Sequence, residues 1–156
     1  MSKKKPNVPK LGEIGLQNFA PYLMNRIMGR YNASLYSDLL EIRLTTPKMR
    51  TLAVLSVIDG PLIRELAIYA VVEQSTLSRT LDKLEEDQQI RRETDRDDSR
   101  ATHVFITADG RATFERIWPK MAKSYENMFK GITLDERNAF VATLQKLLQN
   151  VRHHDI

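Results

Sequence analysis

Between Ile63 and Gly110 the chain reads IRELAIYAVVEQSTLSRTLDKLEEDQQIRRETDRDDSRATHVFITADG, and this stretch decides the fold. From about Glu73 to Asp87 it has helical periodicity. Winding at about 100° per residue puts Leu77, Leu81 and Leu84 on one face, which must pack on the short segment that precedes it. The opposite face carries Ser75, Ser78, Arg79 and Asp82, with Thr76 and Lys83 to one side. Downstream, Ile90–Thr94 and Ala101–Ile106 read as two short strands joined by the charged stretch Asp95-Arg96-Asp97-Asp98-Ser99-Arg100. Val104 and Ile106 alternate with His103 and Phe105, and only the first pair needs a core to face.

A helix face with small hydroxyl residues and an Arg suits the major groove of DNA. Small side chains let the backbone approach, hydroxyls reach phosphates or base edges, and Arg bonds guanine through two N–H groups. A solvated face is the plainer reading of the same residues. The hairpin shifts the balance, because a charged loop between two short strands is the layout of a wing that reaches the adjacent minor groove. Arg96 sits near the middle of that loop, where an Arg can enter a narrow, electronegative groove. Residues 91–100 hold four Arg and four acids, so the wing is not a net basic patch, and Asp98 and Arg100 are better suited to bracing the loop by pairing.

The stretch resembles the MarR (multiple-antibiotic-resistance regulator) family. The matching residues are Glu65-Leu66-Ala67, Ser75-Thr76-Leu77-Ser78-Arg79 and Asp82-Lys83-Leu84-Glu85, then Ile90, Arg92, Asp98-Ser99-Arg100, Ile106-Thr107 and Gly110. The Asp-x-Arg of the wing, followed by Ile-Thr and then Gly, is the most specific part. The family usually has Gly after the recognition helix, where this chain has Gln88, and the bend before that helix holds Ala70-Val71 rather than Gly.

The resemblance implies a mainly α fold with a small β-hairpin wing: a winged helix-turn-helix lobe with dimerisation helices before and after it. Ser75, Thr76, Ser78, Arg79 and Lys83 would belong to the DNA-contacting helix, Arg96 to the wing tip, and Asp98 and Arg100 to its bracing. The partners implied are double-stranded DNA and a second copy of the chain. A two-fold dimer reads a near-palindromic site with half-sites about 10 bp apart. Members of the family commonly answer to small aromatic or anionic effectors, for which Tyr22, Arg26, Tyr31 and Met49 are conceivable pocket residues, although core packing explains the Tyr and Met equally well.

Outward from the lobe, residues 1–10 are Lys- and Pro-rich and read as a mobile basic tail. Residues 11–44 hold an amphipathic helix with Leu16, Phe19, Leu23, Ile27, Tyr31 and Leu35 at steps of three and four, which starts or kinks at Pro21. The lobe spans 45–107, opening at Thr46-Pro47 with Thr as cap and Pro at the first helical position. Residues 108–156 form two helices. The first is bent at Pro119. The second opens with the capping box Thr133-Leu134-Asp135-Glu136 and carries Phe140, Leu144, Leu147, Leu148 and Val151 on one stripe.

The chain has 156 residues, 42% hydrophobic and 28% charged, with a formal charge of +4. The mildly basic balance favours polyanions only slightly. The absence of cysteine excludes disulfides and thiol switches and is compatible with the cytoplasm. No apolar run is long enough to cross a bilayer. No Ser/His/Asp order, phosphate-binding Gly loop or carboxylate pair suggests an enzyme, and no cofactor or metal is expected. His153-His154-Asp155 reads as a frayed terminus rather than a metal site, and His103 as a surface strand residue. The expectation is a sequence-specific DNA-binding regulator, a repressor acting as a homodimer. A winged-helix protein-interaction module is the rival, and an RNA-binding winged helix a weaker one, since A-form RNA hides its major groove.

Overall fold

The computed structural model describes residues 8–154, so Lys3-Lys4-Lys5 and Asp155 lie outside the described residues. By internal packing the chain divides into two compact units, Met1–Ser34 and Leu35–Ile156.

The first unit contains a single-turn helix α1 (Leu11–Ile14), a 3-10 turn (Leu16–Asn18) and most of α2 (Ala20–Glu41). Pro21 stands in the first turn of α2, where no intrahelical N–H is required, so the helix starts at the proline rather than kinking there. Leu23, Ile27 and Met28 leave an apolar edge of this helix exposed.

In the second unit α3 (Thr46–Leu55) is capped one residue earlier than the sequence suggests. The hydroxyl of Thr45, not Thr46, accepts the Lys48 N–H at 3.4 Å, which moves Pro47 to the second helical position. Next come α4 (Ile63–Ala70) and α5 (Gln74–Glu86), then an antiparallel hairpin of β1 (Ile90–Thr94) and β2 (Thr102–Ile106), in register from Ile90↔Ile106 to Thr94↔Thr102. Ala101 is not part of β2 because it closes the wing loop: its carbonyl accepts the Asp95 N–H and its own N–H reaches the Asp98 carbonyl, both at 2.9 Å. On the other edge of β2 the loop after α3 adds a short bridge, Leu62 to His103, and the Val104 N–H binds the Pro61 carbonyl at 3.0 Å.

Leu77, Leu81 and Leu84 of α5 are fully buried, as their periodicity requires. They serve more neighbours than the preceding helix alone, because α5 packs on α3 and β1 as well as α4. Leu52, Leu66, Ile90 and Val104 complete this core. Each buried leucine contributes about 1.5–3 kcal/mol, which fixes the orientation of the outer face of α5.

Both turns that lack the family's glycine still adopt the left-handed backbone. Val71 has φ 51 and ψ 50, and Gln88 has φ 57. The Val71 turn is held by Val72 N–H to the Ala67 carbonyl at 3.1 Å and by Arg50, which donates to the Val71 carbonyl at 3.3 Å. A β-branched residue there costs about 1–2 kcal/mol.

The long helix α6 (Ala108–Met128) continues unbroken through Pro119. Its start is locked to the end of α5: the Thr107 hydroxyl donates to the Gln88 carbonyl at 2.6 Å and the Thr107 N–H to the Gln89 carbonyl at 3.0 Å. Gly110 makes this junction possible, since a Cβ there would fall 2.0 Å from the Gln89 carbonyl oxygen. Finally α7 (Leu134–Val151) opens with the expected capping box, the Glu136 N–H to Thr133 Oγ1 at 3.2 Å and the Thr133 N–H to Glu136 Oε2 at 2.8 Å. No helix among the described residues is long and apolar enough to cross a membrane.

Candidate nucleic-acid interface

Burial of the α5 leucines leaves Ser75, Ser78, Arg79, Asp82 and Lys83 exposed on its outer face, with Thr76 half-buried. Arg79 is tethered only lightly, its Nε donating to the Ser75 carbonyl at 3.4 Å, so most of the guanidinium fork remains available. Thr76, Arg79 and Lys83 line one cleft with Thr45, Pro47 and Lys48 from the start of α3. Lys83 is less free than Arg79, because its ammonium lies 2.7 Å from Glu86 Oε2, a hydrogen bond that also raises its pKa.

The acidic second half of α5 is neutralised in place. Arg92 on β1 reaches Asp82 Oδ1 at 3.0 Å through Nη1 and Glu85 Oε2 at 2.9 Å through Nε, while its backbone N–H binds Glu85 Oε1 at 3.1 Å. The hydrogen bond from Arg92 holds the Glu85 carboxyl below its usual range, and Glu85 raises Arg92 in return. Lys48 takes Asp87 at 2.8 Å and Lys83 takes Glu86. A helix that carries three acids after Arg79, with a fourth, Asp87, just past its end, can therefore lie near phosphates, since each acid has a cation beside it.

In the wing, Arg96 is exposed and makes no hydrogen bond or ion pair with other described residues. Asp98 and Arg100 do pair, Asp98 Oδ1 accepting the Arg100 N–H at 3.0 Å and its Nε at 3.3 Å. The Arg100 side chain is 91% exposed, so this brace is screened by water.

A stronger one was not expected from the sequence. Asp95 Oδ1 accepts the N–H groups of Asp97 at 2.8 Å and Asp98 at 3.0 Å, and Asp95 Oδ2 lies 2.8 Å from His103 Nε2. The other ring nitrogen, Nδ1, lies 2.7 Å from the Gly60 carbonyl oxygen. His103 is thus not a plain surface strand residue: the bridge to Leu62 turns its side chain into the angle between loop 60 and the wing. The His103 hydrogen bond, followed by those from Asp97 and Asp98, lowers the Asp95 carboxyl to about 2. Gly60, at φ 62, fits because a Cβ would strike the Phe105 ring at 2.5 Å.

Comparison with known proteins gives this geometry a name. The MarR family model matches residues 44–102, the part of the lobe that carries α3, α4, α5, β1 and the wing loop up to the start of β2. A crystal structure of a MarR-family transcriptional regulator from Silicibacter pomeroyi is 55% identical and covers 95% of this chain and 100% of its own, with a TM-score of 0.90. The chain belongs to the MarR family. As a member of the MarR family it is a DNA-binding transcriptional regulator. The HTH-type transcriptional repressor IacR of Pseudomonas putida is 28% identical over 146 residues, 94% of this chain and 85% of that protein. The fold is shared with BpsR of Bordetella bronchiseptica, whose DNA binding is regulated by 6-hydroxynicotinic acid, at 23% identity, 82% of this chain, 97% of the other and a TM-score of 0.71.

Among the residues considered for a MarR effector pocket, Met49 lies in the core at 3% exposure. Tyr22 and Arg26 meet on one face of α2, with the guanidinium donating to the Tyr22 hydroxyl at 3.3 Å. Burial raises the pKa of Tyr31. The second unit has its own largely apolar groove, lined by Ala53 and Val57 beside Phe114, Trp118, Met121 and Arg111. No group of three or more His, Asp or Glu side chains suited to a metal occurs among the described residues, His153 and His154 included.

Proposed function

We propose that this MarR-family protein is a repressor that binds a near-palindromic operator as a homodimer and is released by a small ligand. The observation that carries the DNA contacts is the pairing of charges on the lobe. Every acid in the second half of α5 has a cationic partner, whereas the Arg79 fork and Arg96 at the wing tip face solvent. In this reading Ser75, Thr76, Ser78 and Arg79 enter the major groove and Arg96 the adjacent minor groove, with Lys83 at the flank and Asp98 and Arg100 shaping the loop.

The dimer reading rests on apolar surface. Trp118, Ile132, Leu134, Leu148 and Val151 of the C-terminal region and Leu23, Ile27 and Met28 of α2 are all substantially exposed. Large apolar side chains left open on helices in this way suit association with a second copy. The repressor reading is supported by the likeness to IacR. The ligand reading is supported by the BpsR fold and by the α3–α6 groove, where Phe114 and Trp118 suit a flat aromatic ligand between Arg111 and Glu115. A DNA-binding protein of this kind works in the cytoplasm.

The test is selection of bound sequences from a randomised duplex pool at fixed, near-physiological salt, since phosphate-driven affinity depends steeply on salt. An enriched inverted repeat is the expected outcome. Failure to enrich any sequence, with the protein folded and dimeric, would turn the reading towards a protein-interaction module.

A further inference from the structure

Two acceptors face the two ring nitrogens of His103. The Gly60 carbonyl oxygen, 2.7 Å from Nδ1, can only accept. Asp95 Oδ2, 2.8 Å from Nε2, belongs to a carboxylate whose other oxygen already takes two backbone N–H groups. Nδ1 must therefore donate to Gly60, and Nε2 can donate to Asp95 at the same time only when the ring is an imidazolium. The contacts run in series from the Gly60 turn through His103 and Asp95 to the N–H groups of Asp97 and Asp98, immediately after Arg96.

We propose that His103 is a positioning residue for DNA binding: as an imidazolium it clamps the loop bearing Arg96 to the Gly60 turn, and loss of its proton releases that loop. The proposal rests on the reading of Arg96 as a DNA contact. A neutral ring keeps one N–H, so one of the two acceptors would then face a lone pair and that bond would be lost.

The surrounding charges favour the protonated form. Asp95 is the largest influence, the Gly60 carbonyl follows, and Glu65 on α4 adds to both, so the His103 pKa lies above its ordinary 6.5. Glu93, in register with His103 across the hairpin, is occupied by Arg91. Of the cations on α3, Lys48 is held by Asp87 and Arg50 by the Val71 carbonyl. A raised folded-state pKa makes the clamp complete at mildly acid pH and progressively weaker as pH rises through that value. The acid limit is set by Asp95, whose lowered pKa keeps it ionised until about pH 2.

The experiment follows the full-length protein from about pH 5 through about pH 8, the range in which histidine ordinarily changes charge, and upward until the His103 ring signal stops moving. Three quantities are measured: the NMR titration of the His103 ring, amide exchange of residues 95–101 corrected for intrinsic pH dependence, and affinity for the selected duplex at fixed salt. In the wild type, exchange should rise and affinity fall several-fold with the midpoint of the ring titration. His103→Gln should flatten both curves.

Asp95→Asn is the decisive variant. Its amide oxygen can keep the two backbone N–H groups while its NH₂ donates to a neutral Nε2, so the wing should tighten as pH rises and the pH profile should invert. Flat exchange and affinity while His103 titrates, or an Asp95→Asn profile running in the wild-type direction, would overturn the proposal. If no duplex is bound at any pH, the DNA reading fails, and the exchange curves still decide whether the clamp exists.

Discussion

Arg92 grips Glu85 with its side chain and its own backbone N–H, joining the first wing strand to α5, the helix proposed to read DNA. The same guanidinium reaches Asp82, so one cation neutralises two acids on α5. Arg92→Ala should cost little folding stability, about 1 kcal/mol or less, because the partners are partly exposed and screened by water. It should cost more in DNA affinity, since two carboxylates are then left unpaired beside phosphates. Urea unfolding and duplex titration of the same variant separate the two effects; equal losses in both would reduce Arg92 to a structural brace. The Glu85 pKa is lowered in the folded protein, so its contribution is present above the ordinary carboxylate range and is lost as pH falls through the folded value.

Gly110 tolerates no side chain. Its Cβ would lie 2.0 Å from a backbone oxygen, which cannot swing aside as a flexible side chain can. Gly110→Ala should destabilise by about 3 kcal/mol, at the upper end of overpacking effects. A urea midpoint within error of the wild type would show that the α5–α6 junction relaxes freely.

Val71 is 76% exposed and left-handed, so its side chain brings strain with little burial in return. Val71→Gly should raise stability by about 0.5–1 kcal/mol, the strain relieved less the extra chain entropy of glycine. Thermal unfolding would show this as a higher Tm. A lower Tm would mean that the valine makes a contact in solution that offsets its backbone.

Arg79 and Arg96 should fail differently. Arg79→Ala should relax base preference at one position of each half-site, costing about 1–3 kcal/mol there. Arg96→Ala should weaken binding chiefly to sites with a narrow flanking minor groove. Repeating the selection with each variant checks both, and unchanged binding by the pair would remove these residues from the interface.

Much of the fold was legible in the sequence because its signals are periodic or local. Leu77, Leu81 and Leu84 announce a buried helix face, and the box Thr133 to Glu136 announces a helix start within four residues. The cap of α3 was misplaced by one because Thr45 and Thr46 are chemically equivalent and only backbone geometry separates them. The Asp95–His103–Gly60 series was not legible, since it joins residues distant in sequence through a side chain whose orientation depends on the edge pairing of Leu62. Arg92 was visible as a family match, but its hold on Asp82 and Glu85 crosses a helix-to-strand turn that no spacing rule covers. Gln88 and Val71 stood out as departures, and the backbone absorbed both by accepting strain instead of changing shape.

At the root of α6, Thr107 bonds Gln88 through its hydroxyl and Gln89 through its backbone N–H, and Gly110 lies too close to the Gln89 carbonyl to admit a side chain. The start of α6 is thereby tied to the residues that follow α5, so the two helices share one junction. If Arg79 reads DNA as proposed, a shift of α6 at this junction would bear on where that side chain arrives.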